Sequence, residues 1–268
     1  TNGSVLVRTT GTDGYVIADA VRFLPVGSSG VVVARWASDG VASEPKTSGG
    51  VAGTGRFTLS RLGGDYSSPL TILLVISGTA SNGVDYASIS SSVTIQADET
   101  TASVVITPLS DTLAEGSEAI EILLPASGSY DQGSLASVTI DLADRPYDAW
   151  RHGQFNTVQL ADSDISGDSA DPDGDGWANA VEAFFGSDPL VADRSGGQVG
   201  FSSRNGLDYL MVEISRSKFS DLSFIADVTS NLLHSTWESG SAKVEELLVD
   251  DDGQTQTIQV RDLTPVEV

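Results

Sequence analysis

Residues 70–124 have the sequence LTILLVISGTASNGVDYASISSSVTIQADETTASVVITPLSDTLAEGSEAIEILL. Short runs rich in Val, Ile, Leu and Thr alternate in it with turn signals such as ASNG and ADET, a pattern typical of antiparallel β-strands. The runs predict strands at residues 70–78, 91–97, 102–109 and 119–124. This stretch therefore places the chain in the all-β class.

Further strand-like runs lie on both sides of this stretch, namely VVVARWA (31–37), RFTLSRL (56–62) and SVTIDL (137–142). In the second run Phe57, Leu59 and Arg61 share one face, opposite Thr58 and Ser60. Because side chains alternate along a strand, we expect one of these two faces to point inward. Seven strands in roughly 115 residues fit an antiparallel sandwich of immunoglobulin-like size.

Four segments of this region resemble the Calx-β domain: EPKTSGGVAGTGRFTLSR (44–61), SPLTILLVISGTASNGVDY (68–86), VTIQADETTASVVITPLSDTLAEGSEAIEILL (93–124) and SVTIDLAD (137–144). The resemblance spans residues 30–144, with its motifs in order. It implies an antiparallel Calx-β (immunoglobulin-like) sandwich as a domain of residues 29–145. It also implies that acids from separate strands gather at one end of the sandwich to hold calcium.

Carried over by motif, the implied ligands of this site are Glu44, Asp85, Asp111, Glu115, Glu118 and Asp144. The chain departs from the family pattern in two places. The acid pair expected before TLAEG is Ser110-Asp111, and the closing run of three acids is Leu142-Ala143-Asp144. Fewer carboxylates imply weaker binding or fewer ions than in calcium-sensing members, and the alternative is a solvated acidic rim.

The strongest local motif is DPDGDGWANAVE at residues 171–182, which fits the calcium-loop pattern D-x-D-x-D-G-x-x-N-x-x-E. Calcium takes six to eight oxygens at about 2.3–2.6 Å, and a tightly coiled loop supplies them from alternate residues. Gly176 permits the bend. The expected ligands are side-chain oxygens of Asp171, Asp173 and Asp175, the carbonyl of Trp177, Asn179 directly or through water, and both oxygens of Glu182.

Glu182 also falls in a short helix, in which Trp177, Val181 and Phe184 are expected to share a face that packs on a neighbouring module. Gly186 suits the end of this helix. Residues 162–173 could form a weaker overlapping loop, although alanine occupies its ninth position. The main loop lacks a convincing incoming helix and a partner loop, so it resembles a dockerin-like or thrombospondin-type-3-like structural clip.

Partial β-modules are predicted at both ends of the chain. GTDGYVIADAVRFLPV (11–26) resembles the closing strands of the β-sandwich domain of golvesin and xanthan-lyase-type proteins, so residues 1–27 are expected to be the last strands of a truncated domain. Residues 146–195 are predicted to be a linker that carries a short helix and the calcium loop. Residues 196–268 are predicted to be a small β-module with strands at LDYLMVEISR, SFIADVTS and TIQVRDL.

The composition excludes several function classes. Asp and Glu number 37 against 14 Lys and Arg, for a net charge of −23, so a nucleic-acid partner is excluded by repulsion from phosphates. No cysteine is present, so disulfides and thiolate metal sites are excluded. No run approaches the roughly 18 apolar residues of a membrane span, so no membrane insertion is expected.

Catalysis finds little support in the sequence. The two histidines, His152 and His234, are expected at the surface, and G-x-S-x-G, H-E-x-x-H and phosphate-loop motifs are missing. We therefore interpret the chain as a non-catalytic, calcium-binding structural or adhesive segment of a large secreted or cell-surface bacterial protein. Its candidate partners are calcium, a cell-surface glycan or protein, and other copies of itself in a fibre.

Two alternatives remain open at this point. One is a carbohydrate-binding accessory region of a secreted polysaccharide-degrading enzyme, in which sugars would stack on Trp36, Trp150, Trp177 or Trp237. The other is a calcium sensor, which the single unpaired loop disfavours.

Overall fold

The computed structural model describes residues 32–46, 50–133, 137–194, 197–217, 221–229, 236–253 and 255–266. The strands predicted within residues 1–27, with the resemblance they carry, lie outside these ranges, and so does His234. Among the described residues, no helix is long and apolar enough to span a lipid bilayer.

A β-sandwich occupies the first half of the described chain. Its strands are β1 (Val32–Asp39), β2 (Val41–Ser43), β3 (Gly55–Leu62), β4 (Leu70–Leu73), β5 (Val75–Gly78), β6 (Ser92–Ile95), β7 (Thr101–Ile106), β8 (Glu118–Leu123), β9 (Asp131–Gln132) and β10 (Ser137–Ala143). One sheet has the order β7-β3-β1-β9 and another the order β2-β10-β8-β5, and β4 pairs with β6. The prediction of an all-β sandwich is confirmed.

The first strand crosses from one sheet to the other. β1 pairs antiparallel with β3, whereas β2, separated from it only by Gly40, pairs parallel with β10. The run predicted as one strand at 70–78 divides in the same way at Leu74, since β4 pairs with β6 and β5 with β8. The parallel pairing of β2 and β10 brings Glu44 and Asp144, which follow these strands, to the same end of the sandwich.

The core of the sandwich follows the period-two pattern of the strands. Phe57 and Leu59 on β3 are fully buried. Arg61 shares their face, and its guanidinium group donates hydrogen bonds to the carbonyl oxygens of Ser68 (2.7 Å) and Asp65. These bonds offset the cost of burying the charge. The inward face of β3 is therefore the one that carries Phe57, Leu59 and Arg61.

Gly78 ends β5 where the backbones of β5 and β8 approach each other closely. Its φ is 126°, and a Cβ here would lie 2.0 Å from the carbonyl oxygen of Ala119. We expect Gly78→Ala to lower the free energy of unfolding by about 1–3 kcal/mol through strain and overlap, as measured by urea unfolding. Gly128→Ala is the control, because a Cβ there would meet no described atom within 4 Å; equal losses would contradict this explanation.

Four short helices follow the sandwich: α1 (Pro146–Gln154), α2 (Thr157–Leu160), α3 (Ser163–Ser166) and α4 (Asn179–Phe185). Helix α1 lies at the start of residues 146–195, which are predicted to form a linker with a short helix. The carboxylate of Asp162 accepts a hydrogen bond from the backbone N–H of Asp164 at 3.0 Å and caps α3. Residues 163–166 are therefore helical, and the weaker overlapping calcium loop does not form.

Helix α4 ends as predicted but begins later. Gly186 adopts the left-handed conformation at its C-terminus, with φ of 79°. Trp177 precedes the helix and stacks on Phe185, with 4.9 Å between ring centroids. The prediction that Trp177 shares a helix face with Val181 and Phe184 is therefore wrong for Trp177, because the helix starts only at Asn179.

The C-terminal module contains β11 (Gly197–Arg204), β12 (Leu207–Ser217), β13 (Asp227–Val228), β14 (Glu238–Ser239), β15 (Val244–Asp251) and β16 (Thr255–Pro265). A four-stranded antiparallel sheet has the order β11-β12-β16-β15. The strands predicted at LDYLMVEISR and TIQVRDL are confirmed, whereas SFIADVTS contributes only the two residues of β13. Phe184 packs against Ile214 and Ile258, which attaches α4 to this sheet.

Candidate functional site

The loop between α3 and α4 brings three aspartates together. Carboxylate oxygens of Asp171, Asp173 and Asp175 lie within 4.8 Å of one another. The backbone N–H groups of Gly174 and Gly176 donate hydrogen bonds to the carboxylate of Asp171, both at 2.9 Å. Both glycines have positive φ, 76° and 93°, which favours glycine over other residues. The predicted loop is therefore coiled around its first acid.

Several ligand atoms of the loop are buried without a hydrogen-bond partner in the described part of the chain: Asp173 Oδ2, Asp175 Oδ2, Asn179 Oδ1 and Glu182 Oε2. The Asn179 amide nitrogen donates to the carbonyl oxygens of Ile165 and Gly167, both at 2.8 Å, which commits Oδ1 to a different direction. Buried acceptors without donors cost free energy. A cation bound among these oxygens would remove that cost, so the residues fit a metal ion.

The raised pKa of Glu182 also fits a bound cation. Burial, as the largest cause, and the charges of Asp173, Asp175 and Asp171 together raise its pKa from 4.5 to about 7. The ionised form, which a metal ligand needs, is therefore disfavoured until a cation is present. The backbone N–H of Trp177 donates to Asp175 at 2.7 Å, and the role expected for the Trp177 carbonyl stays a prediction.

Arg194 is a neighbour of the loop that sequence reasoning missed. Its Nε lies 4.0 Å from Asp175 Oδ1, and a Cβ on Gly176 would fall 2.1 Å from one of its guanidinium nitrogens. Most of the Arg194 side chain is exposed, so the pair with Asp175 is a surface contact of small energy. No spacing rule links this arginine to a calcium loop.

A second cluster lies at one end of the sandwich. Carboxylate oxygens of Asp85, Glu115 and Glu118 lie within 4.8 Å of one another. Asp85 is buried and accepts a hydrogen bond from the backbone N–H of Ser81 at 2.6 Å. The backbone N–H of Ala119 donates to the Thr79 hydroxyl at 2.8 Å. The loop after β5 is thereby fixed beside the start of β8.

Asp144 and Glu44 join this cluster through the strand ends. The backbone N–H of Glu44 donates to the Ala143 carbonyl at 2.9 Å, which places Glu44 beside Asp144. The Oδ2 atom of Asp144 accepts from the backbone N–H groups of Glu115 (3.1 Å) and Gly116 (2.8 Å). The closing strand is thus tied to the segment that carries Glu115 and Glu118.

Glu44 is strongly perturbed by this environment. It is only 6% exposed, and its Oε2 has no hydrogen-bond partner among the described residues. Burial, as the largest cause, and the charges of Asp111, Asp144 and Asp148 together raise its pKa from 4.5 to about 7. This is the environment of a carboxylate that lacks its counter-charge.

Glu118 shows the same behaviour from the other side of the cluster. Burial raises its pKa from 4.5 to about 7, and the charges of Asp85, Glu115 and Asp144 contribute. Asp144 acts on both glutamates, so it links the two halves of the cluster. Of the six acids that the resemblance implies, the structure places the carboxylates of Asp85, Glu115 and Glu118 within 4.8 Å of one another. The other three, Glu44, Asp111 and Asp144, are neighbours whose charges act on this group or on each other. Oxygen ligands of this kind fit a hard cation.

Asp148 is a further carboxylate beside this cluster that sequence reasoning missed. It is fully buried and is paired with Arg145 and with Arg151, whose Nη1 lies 3.0 Å from Asp148 Oδ1. Arg145, Asp148 and Arg151 follow one another at intervals of three, from the residue before α1 into the helix, and this spacing could have signalled the pairing. Both oxygens of Asp148 are paired with guanidinium groups, so Asp148 lies next to the cluster but is not itself a candidate ligand.

His152 is exposed, as predicted, but it lies against the cluster. A Cβ on Gly116 would fall 2.8 Å from His152 Cε1. Burial raises the pKa of Asp144, and the nearby His152 lowers it. Helix α1 therefore contacts the segment that binds Asp144.

Fold and site together define a β-sandwich with a carboxylate cluster at one end, followed by a second carboxylate loop. Residues 48–144 match the family model of the Calx-beta domain. This confirms the Calx-β resemblance of the sandwich. The resemblances noted for residues 1–27 and 171–182 stay predictions.

Solved structures similar to this chain include Calx domains. The apo-form Calx CBD1 domain is 18% identical, with 42% of this chain and 96% of that chain covered and a TM-score of 0.33. The Calx CBD2 domain is 12% identical, with coverages of 42% and 86% and a TM-score of 0.31. The calcium binding domain CBD12 of CALX1.1 is 18% identical, with coverages of 41% and 44% and a TM-score of 0.32. The search of curated proteins found no match.

Proposed function

We propose that this chain is a non-catalytic calcium-binding segment with two ion sites, one at the end of the sandwich and one in the loop of residues 171–182. The observation that carries this proposal is the pairing of clustered carboxylates with buried oxygens that no described donor reaches. Clustered acids with raised pKa values repel one another, and a divalent cation would convert that repulsion into attraction.

Calcium is the cation that the ligand set favours. Both clusters offer oxygen ligands, and the sequence contains no cysteine. Magnesium requires near-ideal octahedral geometry and retains water, whereas calcium tolerates irregular shells rich in carboxylates. The family match supports calcium at the sandwich cluster, and the fit to the calcium-loop pattern supports it at Asp171, Asp173 and Asp175.

The role proposed for the ions is structural. An ion bound only by the folded state adds RT ln(1 + [L]/Kd) to stability, so calcium would rigidify the sandwich and its junction with α1–α4. Extracellular modules commonly bind calcium at about 10⁻⁴–10⁻³ M. We propose that the chain is part of a secreted or cell-surface bacterial protein with an adhesive role. Its contact would be a surface glycan, a protein or further copies of itself in a fibre.

The carbohydrate-binding alternative receives less support from the tryptophans. Trp150 stacks on Tyr147 and Trp177 stacks on Phe185, so these two rings are used in packing. Trp36 and Trp237 are exposed, but they lie in different modules. Glycan binding that persists after calcium removal would favour this alternative over the structural role.

The proposal is tested by calcium titration in a calorimeter, with thermal melts in calcium and in chelator. For a Kd near 10⁻⁴ M, we expect 10 mM calcium to raise the free energy of unfolding by about 2.7 kcal/mol for each occupied site. Magnesium at the same concentration is the control for ionic strength and nonspecific charge screening. Equal melting temperatures in calcium and in chelator, with no heat of binding, would contradict the proposed function.

A further inference from the structure

Arg151 of α1 connects the two carboxylate clusters. Its Nη1 donates a hydrogen bond to the Thr112 carbonyl at 3.1 Å, and its Nε donates to the Ser166 carbonyl at 2.9 Å. Nη1 also donates to Asp148 at 3.0 Å. The side chain is 12% exposed. One rigid guanidinium group therefore holds the sandwich, helix α1 and the segment before the calcium loop.

On the sandwich side, Arg151 holds the backbone of the ligand segment itself. Thr112 follows Asp111, whose carboxylate accepts a hydrogen bond from the backbone N–H of Leu113 at 2.7 Å. The carbonyl that Arg151 binds thus lies inside the turn that Asp111 fixes. Glu115 follows three residues later. A cation that draws Asp111 and Glu115 inward acts on the same backbone that Arg151 holds.

On the loop side, Arg151 and a predicted ligand hold three consecutive carbonyls. The carbonyls of Ile165 and Gly167 accept from Asn179 Nδ2, both at 2.8 Å, and the Ser166 carbonyl between them accepts from Arg151. Ser166 and Asn179 are both fully buried. The position of the Asn179 side chain, and hence of its free Oδ1, therefore depends on the stretch that Arg151 holds.

We propose that Arg151 is a positioning residue that couples the two calcium sites, so that occupation of one site raises the affinity of the other. This inference rests on the proposed function. An ion that binds at either site has to order the segment that carries its ligands, which costs conformational entropy. If the first ion has already ordered both segments through Arg151, the second ion binds with a smaller entropy cost. Couplings between sites typically amount to 5–150-fold in affinity, and they are reciprocal.

The test measures the affinity of the loop with and without a working sandwich site, in the full chain. Asp85→Asn with Glu118→Gln disables the sandwich site, and calcium binding to the loop is followed by the amide NMR resonances of Gly174 and Gly176. We expect the loop affinity to fall about five-fold or more when the sandwich site is disabled. We expect no such fall in an Arg151→Lys background.

Lysine keeps a positive charge beside Asp148 but lacks the planar fork that reaches Thr112 and Ser166 together. Arg151→Gln serves as a second variant, and circular dichroism checks that both are folded. Arg204→Lys is the matched control, because Arg204 is an exposed arginine paired with Glu245 on the C-terminal sheet. It is expected to leave the coupling intact.

The reciprocal measurement separates coupling from general damage to the fold. Disabling the loop with Glu182→Gln should weaken the sandwich site, followed at Gly116, by the same factor. Two sites that bind calcium independently, or a coupling that survives in both Arg151 variants, would overturn the inference and leave the proposed function standing. Absence of calcium binding at both sites would overturn the proposed function itself.

Discussion

In millimolar calcium, the variant Asp173→Asn with Glu182→Gln is expected to lose calcium binding at the loop. Each residue carries a buried oxygen without a described partner, and each substitution replaces a charged ligand with a neutral amide of the same shape. We expect the affinity of the loop to fall more than about 100-fold, which removes about 2.7 kcal/mol of stabilisation where calcium stands at 100 times the Kd. Calorimetric titration and thermal melts measure the two quantities.

In chelator, the single variant Glu182→Gln is expected to have the opposite effect on stability: it should raise the free energy of unfolding. The pKa of Glu182 is raised to about 7 by burial and by the neighbouring aspartates, so its ionised form destabilises the calcium-free fold at pH 8. A neutral glutamine removes this repulsion, and the free energy of unfolding should rise by about 1–2 kcal/mol, which is less than the calcium stabilisation that the variant loses. The substitution therefore stabilises the protein without calcium and destabilises it with calcium.

Asp164→Asn is the matched control for this pair of results. Asp164 is an exposed acid in the same aspartate-rich stretch, outside the loop. This variant should bind calcium with the affinity of the unsubstituted protein, and calcium should stabilise it to the same extent relative to chelator. If Glu182→Gln instead lowered stability equally in calcium and in chelator, Glu182 would be a structural residue of α4 and not a ligand.

The loop could be predicted from the sequence because its expected ligands all lie within residues 171–182. Asp171, Asp173, Asp175, Asn179 and Glu182 obey a local spacing, and a local spacing survives any uncertainty about the tertiary fold. Its attachments could not be predicted in this way. The bonds from the Asn179 amide to residues 165 and 167 depend on how the chain returns after α3.

The sandwich cluster was accessible only through the family resemblance. Glu44 and Asp144 are distant in sequence, and no periodicity indicates that the first strand changes sheets at Gly40. That change of sheet produces the parallel pairing that brings the two acids together. Arg151 escaped sequence analysis for a similar reason, because two of its partners are backbone carbonyls, which every residue carries.

Among the described residues of SFIADVTS, the predicted strand is limited to Asp227–Val228, because the apolar pattern there has another cause. Phe224 packs edge-to-face on Phe184 of α4, with 5.5 Å between ring centroids. The segment is apolar because it covers helix α4, and within it Asp227–Val228 pair with β14 as a strand. A pattern of apolar residues alone does not distinguish a segment buried as a β-strand from an irregular segment buried against a helix.

In chelator, the free energy of unfolding is expected to fall as the pH rises from 5 to 8. Glu44, Glu118 and Glu182 each have a pKa near 7 in the folded chain against an ordinary value of 4.5. Between these values the folded state binds more protons than the unfolded state, so stability decreases as pH rises. The stabilisation is complete below pH 4.5 and is lost through pH 7, at about 1–2 kcal/mol for each glutamate.

In calcium this dependence should disappear or reverse, because the ion binds the ionised carboxylates and competes with their protons. Urea unfolding at several pH values, in calcium and in chelator, measures both slopes. A net charge of −23 also opposes folding at high pH through general repulsion, so the variants must separate the two effects. Glu182→Gln should reduce the slope in chelator, whereas Glu121→Gln, an exposed acid on β8, should remove only a general charge. Equal reductions in both variants would assign the slope to net charge and not to the two clusters.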